Sequence, residues 1–161
     1  MTRSKEKLVA DLMVLVFRLN GRLLEEGDRL VEGLNLTSAR WQVLGALSLA
    51  GQPLTAPQIA DAMGITRQGA QKQLNLLMEE RLLERRPNPS HERSPLYVLT
   101  DAGVRAFSEA DRLCDLWAAD LGQVFSEEAL HTTGTVLAEL LARLERPLPI
   151  PNRELGQRAS C

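Results

Sequence analysis

Leu8, Leu12, Leu15/Val16, Leu19 and Leu23 recur at steps of three and four residues, the stripe of an amphipathic helix. The pattern predicts a helix from about Lys5 to about Glu32, with Gly27 a candidate kink. A helix of that length, placed ahead of a compact middle segment, carries more apolar surface than a small domain covers. It is expected to pack on something else.

Punctuation along the chain divides the rest. Thr37 is the natural N-cap of a second helix whose buried side is marked by Trp41, Leu44, Leu47 and Leu49, and Gly51 with Pro53 ends it. Thr55-Ala56-Pro57-Gln58 has capping-box spacing, with proline in the first turn where its missing N–H is tolerated. Ile59, Ala60 and Met63 then face inward. Gly64 stops this helix at a sharp turn, Ile65 is expected to cover the core side of the turn, and Thr66 caps the next helix. There Ala70, Leu74 and Leu77 form an inward row. Leu82–Arg86 reads as a strand, 87–95 as a turn-rich loop, and Leu96–Leu99 alternates back as the partner strand. Thr100-Asp101 opens a helix with Phe107, Ala110, Cys114, Trp117 and Leu121 in one row. Ser126 caps a last helix through Leu130, Leu137, Leu140/Leu141 and Leu144, although Thr132-Thr133-Gly134-Thr135 lowers its intrinsic helicity.

The order is helix, helix, turn, helix, hairpin. The expected fold is mainly α with a small β component: a winged helix-turn-helix core flanked by long N- and C-terminal dimerisation helices. Residues 1–36 are the first dimerisation helix, 37–100 the winged domain and 101–146 the later dimerisation helices. Pro147, Pro149 and Pro151 then start a flexible tail, 147–161.

Composition narrows the class. At 161 residues and 44% hydrophobic, the chain is long enough for one domain with a real core, or for a small domain plus an assembly element. It has no apolar run near the ~20 residues of a membrane span, and MTRSKEKLVADLM lacks a signal peptide's apolar core. A cytoplasmic location without membrane association is expected. Cys114 and Cys161 do not suggest a disulfide framework. No phosphate loop, nucleophile elbow or paired-carboxylate motif appears, and His91 and His131 have no partners at metal-ligand spacing. Neither catalysis nor a cofactor or metal is expected.

The formal net charge of −2 is unevenly distributed. Residues 37–100 carry seven basic and five acidic side chains, whereas 101–145 carry three and nine. The positive segment holds the polar face of the fourth helix. Arg67, Gln68, Gln71, Lys72 and Asn75 lie opposite its apolar row, and Arg67, Gln68, Gln71 and Asn75 are spaced to share one helical face. Amide side chains suit adenine's N6/N7 edge, Arg suits guanine's O6/N7, and Lys72 and Thr66 suit phosphate. The same composition also fits a plain solvated surface; the Gly64 turn, capped helix and hairpin around it favour duplex DNA. Arg93, near the hairpin tip, is placed to enter a minor groove, and Arg85 and Arg86 at its base to meet phosphates. A separate apolar and aromatic set, Phe17, Trp41, Leu44, Phe107 and Trp117, with Arg18 or Arg22 as carboxylate partners, is the candidate effector pocket. Cys114 lies on an apolar helix row, and burial there dulls a thiol.

LTSARWQVLGAL, LTAPQIADAMGITRQGAQKQLNLLMEERLLERR and PLYVLTDAGVRAF together resemble the multiple-antibiotic-resistance regulator (MarR) family over Leu36 to about Phe107. The resemblance implies a homodimeric winged-helix transcription factor, usually a repressor, that reads a pseudo-palindromic operator. It implies a dimer interface built from the first and last two helices, and often release from DNA by a small aromatic or phenolic ligand. The family's wing carries Asp-x-Arg; here His91-Glu92-Arg93 keeps the arginine and replaces the acid, and Pro87, Pro89 and Pro95 are expected to stiffen the loop instead. The competing function is a winged-helix dimer that docks proteins without binding DNA.

Overall fold

The structure is a computed structural model that describes residues 4–146. Its helices are α1 (Lys5–Val31), α2 (Ser38–Ala50), α3 (Ala56–Met63), α4 (Arg67–Glu79), α5 (Asp101–Gly122) and α6 (Glu127–Leu144). Its strands are β1 (Leu54–Thr55), β2 (Leu83–Arg86) and β3 (Leu96–Leu99). The fold is a winged helix: mainly helical, with one small antiparallel sheet. The chain divides into two compact units, Met1–Ala118 and Ala119–Cys161, the division falling within α5.

In the first unit, α2, α3 and α4 close on a core that includes Val43, Leu44, Ile59, Leu74 and Leu77, each at 0% exposure. The ends of these helices follow local chemistry. Thr37 caps α2 through Arg40 N–H, Thr55 and Gln58 form the capping box of α3, and Thr66 caps α4 by accepting from Gly69 N–H at 3.0 Å. Gly51 and Gly64 end α2 and α3 at φ +62° and +63°, a left-handed conformation that glycine adopts without Cβ strain.

The sheet has one strand more than the sequence pattern indicates. Its order is β1-β3-β2, with Leu54 opposite Tyr97 and Arg85 opposite Tyr97 on the other side. Two residues are too short to show alternation, so β1 left no signal. The second strand starts at Leu83, one residue later than expected, because Arg81 (φ +58°) and the Leu82 N–H, bonded to Leu77 O, still belong to the end of α4.

Three local expectations are corrected. Leu49 is 87% exposed and Val43 occupies the core instead, because residues two apart on a helix point to nearly opposite sides and Leu49 is two beyond buried Leu47. Ile65 is 38% exposed; the turn is closed by its backbone, whose N–H donates to Ala60 O at 3.1 Å. Gly27 does not interrupt α1, which runs unbroken through it. A Cβ at Gly27 would overlap the Ser38 hydroxyl, so the residue's role is close approach of α1 to α2. Ser38 fills that contact, donating its hydroxyl to Leu24 O at 2.8 Å and its N–H to the Asp28 carboxylate at 2.6 Å.

Long stretches of α1 face solvent in the single chain, including Leu8, Leu15, Leu19 and Leu23 at 43–56% exposure. Within the second unit, α6 has no buried residue. It runs through Thr132–Thr135, where the Thr133 and Thr135 hydroxyls donate to carbonyls one turn back.

The start of α5 is fixed to the end of α4 by a backbone contact. Thr100 N–H donates to Leu82 O at 3.1 Å and its hydroxyl to Arg81 O at 2.8 Å, and a Cβ at Gly103 would overlap the Leu82 oxygen. Gly103→Ala is therefore expected to destabilise the chain by roughly 1–3 kcal/mol. Gly21→Ala, with nothing within 4 Å of the added methyl, is expected to stabilise it, by roughly 0.5–1 kcal/mol as for Gly-to-Ala inside a helix. Urea melts of the two variants check the contrast.

Candidate nucleic-acid interface

Two features set which face of α4 points outward. Ala70, Leu74 and Leu77 are fully buried, and Arg67, Gln68, Lys72 and Asn75 on the other side are exposed. No acidic residue lies in the first turn of α4. Its N-terminal N–H groups and positive dipole end thus stand beside Arg67 with no local anion, an environment suited to phosphate. The Thr66 hydroxyl oxygen is occupied by Gly69 N–H, which leaves its proton free to donate outward.

Gln71 differs from its neighbours. It is half-buried, and its Nε2 donates both to Asn75 Oδ1 at 2.9 Å and to the Tyr97 hydroxyl at 3.1 Å. Tyr97 is 2% exposed on the central strand of the sheet. The polar face of α4 is thereby tied to the wing. At the far end of α4, Glu80 pairs closely with Arg40 of α2, whose side chain is largely buried.

The wing loop is held by an asparagine that the sequence pattern did not single out. Asn88 Nδ2 donates to Ser94 O at 2.7 Å, and Asn88 Oδ1 accepts from Ser90 N–H at 3.1 Å. His91 N–H and Ser94 N–H add backbone turns to Asn88 O and His91 O. These bonds brace the loop that carries Arg93. Arg93 is exposed and lines two clefts. One, of about 320 Å³, lies against Arg67, Gln68, Gln71 and Pro57; the other, of about 480 Å³, is bordered by Arg85, Arg86 and Glu92. Arg86 pairs with Glu84 at 2.6 Å in the open, a contact that adds little stability and is readily exchanged for phosphate. Among the described residues Arg67, Lys72, Arg85 and Arg93 make no ion pair.

The seven residues expected to form an effector pocket are not gathered in one place. Trp41 and Phe107 border a cleft of about 910 Å³ between α2, α3 and α5, with Gly45, Leu54, Met63 and Asp111. Leu44 lies in the core, at 0% exposure, and Trp117 is half-buried outside this cleft. Phe17 is 74% exposed on α1, where Arg18 is also exposed and Arg22 pairs with Glu25 at 2.7 Å. The charged group at the cleft is thus a carboxylate, not a guanidinium.

No group of three or more His, Cys, Asp or Glu side chains among the described residues is arranged to hold a metal. No helix among them is long and apolar enough to cross a membrane. The Cys114 thiol is held above its ordinary pKa by burial first, then by the Asp111 and Asp115 carboxylates. A raised pKa keeps it protonated at neutral pH. With Cys161 replaced by serine, alkylation of Cys114 at pH 8 is expected to run several-fold slower than that of free cysteine; an equal or faster rate would reveal an activated thiol.

A sequence model of the MarR family matches residues 34–94. Uncharacterized proteins of Mycobacterium tuberculosis and Mycobacterium bovis are 35% identical over 141 residues, covering 88% of this chain and 97% of theirs. A crystal structure of a MarR family transcription regulator superposes with a TM-score of 0.74 at 24% identity, covering 89% of this chain and 97% of that one. An Escherichia coli MarR mutant complexed with operator DNA gives 0.72 at 20% identity, covering 86% and 99%. A Staphylococcus aureus MepR–DNA complex gives 0.71 at 21%, covering 81% and 94%. At these identities the structures show a shared fold.

Proposed function

This chain belongs to the MarR family of transcription regulators, which are DNA-binding proteins and not enzymes, and from that premise we propose that it is a homodimeric, sequence-specific duplex-DNA-binding repressor. The observation that carries the reading is the exposed face of α4. Arg67, Gln68, Lys72 and Asn75 stand outward from a helix whose opposite face is sealed in the core, beside a wing bearing Arg93. Gln68, Gln71 and Asn75 read base edges, Arg67 reads guanine or phosphate, and Thr66, Lys72, Arg85 and Arg86 hold phosphates. Arg93 enters the minor groove. Two copies of α4 about 34–36 Å apart match a pseudo-palindrome in successive major grooves. The protein acts where the chromosome is, in the cytoplasm.

A second copy of the chain accounts for the apolar side chains exposed along α1 and, separately, along α6. A two-fold dimer buries self-complementary faces. Release from DNA is proposed to follow binding of a small aromatic ligand between Trp41 and Phe107. The Asp111 carboxylate at that cleft favours a neutral phenolic or cationic ligand over a carboxylate.

Selection of bound duplexes from random DNA is expected to return one pseudo-palindromic motif. Gln68→Ala is expected to relax one position of each half-site, whereas Lys72→Ala weakens all sequences alike and lowers the slope of log affinity against log salt by about 1 per half-site contact. Absence of duplex binding at low salt would sink the DNA-reading proposal and leave protein docking in its place. For assembly, Leu19→Glu, at a side chain 49% exposed in the single chain, is expected to convert a dimer to a folded monomer in sedimentation. A wild-type protein that sediments as a monomer at micromolar concentration contradicts the dimer.

A further inference from the structure

Resting on the DNA-reading function above, we infer that Tyr97 is a positioning residue that holds the Gln71 amide in the polarity its neighbouring guanidinium groups favour. Gln71 thereby presents its oxygen, not its nitrogen, to the base it faces, and selects a base whose exocyclic amine lies in the major groove.

The hydrogen-bond inventory makes the argument. A Gln amide has two N–H donors on Nε2 and one acceptor oxygen. Both Nε2 protons of Gln71 have protein partners, Asn75 Oδ1 at 2.9 Å and Tyr97 Oη at 3.1 Å. Oε1 of Gln71 and Nδ2 of Asn75 make no hydrogen bond among the described residues, so the linked pair offers one acceptor and one donor. The Tyr97 hydroxyl and the Asn75 amide are donors as well as acceptors and satisfy a flipped Gln71 equally, so electrostatics selects between the two orientations. Gln71 lines the cleft that also holds Arg67 and Arg93, and two guanidinium groups there favour the negative end of the amide dipole.

The anchor is rigid. Tyr97 is 2% exposed and sits on the middle strand, paired with Leu54 on one side and Arg85 on the other. An unanchored glutamine rotates its amide to suit either an amine or a keto group. One held through both its protons accepts only. In the major groove the bases that donate are adenine, through N6, and cytosine, through N4, whereas guanine O6 and thymine O4 accept. The outward acceptor and donor together match adenine's N6–H and N7 and clash with guanine's two acceptors.

Duplex selection with four proteins tests the inference. Gln71→Ala marks the motif position that Gln71 reads. At that position the wild type is expected to favour amine over keto bases by about tenfold, the order of one well-made base contact. Tyr97→Phe keeps the buried ring and removes the hydroxyl. It is expected to bring that ratio within about twofold, with the other positions and the thermal midpoint little changed. Gln71→Glu in the Tyr97→Phe background supplies oxygen acceptors alone, and is expected to restore the amine preference, now for cytosine. Three results overturn the inference: a wild-type keto preference, a Tyr97→Phe motif identical to wild type at the marked position, or uniform weakening across all positions. A wild type that selects no motif instead removes the DNA-reading function on which the inference rests.

Discussion

Three side chains of α4, Ala70, Leu74 and Leu77, are sealed at 0% exposure, and their burial sets the rotation of that helix about its axis. Each leucine removed from water stabilises the fold by roughly 1.5–3 kcal/mol, so turning α4 to expose this row is far more costly than any surface contact can offset. The polar face is what remains. Arg67, Gln68 and Lys72 point outward because the core holds the other side, and Asn75 is held there also by its bond to Gln71.

The wing depends on the same packing at one remove. β3 lies between β1 and β2, and Tyr97 at its centre reaches Gln71 on α4. Leu82 closes the end of α4 and also receives the Thr100 N–H at the start of α5, while the Thr100 hydroxyl donates to Arg81 O. Helix and wing are therefore placed by shared backbone and side-chain contacts, and Arg93 is held within reach of the α4 face by a loop braced at Asn88. A binding surface split between two elements keeps its geometry only if both are tied to the same core.

What the sequence made legible follows from range. Helix caps, the left-handed glycines and the inward row of α4 depend on residues within a turn of one another, and periodicity reads them directly. Val43 in place of Leu49 shows the limit of residue type, since both are apolar and only the angular position separates them. β1 is too short to alternate. The bond between Gln71 and Tyr97 spans 26 positions, and in the sequence Tyr97 reads only as one position of the partner strand. Gly27 and Gly103 look like ordinary helix-weakening glycines until Ser38 and Leu82 are placed against them. The effector set failed to converge for the same reason. Aromatic residues on α1, α2 and α5 were matched by type, and which helix faces meet is a property of packing that single-helix patterns do not contain.

Charge and hydrophobicity are separated by element, and this separation bears on the two proposed partners, duplex DNA and a second copy of the chain. The unpaired cations Arg67, Lys72, Arg85 and Arg93 lie on α4 and the wing. Acidic side chains dominate 101–145, and the exposed aliphatics concentrate on α1 and α6. A duplex is attracted by local positive potential, and charges farther away than a Debye length of about 8 Å are screened, so a net charge of −2 does not by itself oppose binding. In the proposed dimer, by contrast, a second copy of the chain is recruited by apolar area that carries no such field. Because the two proposed surfaces draw on different side chains, such assembly does not compete with DNA for any residue, and each surface is open to substitution without rewriting the other.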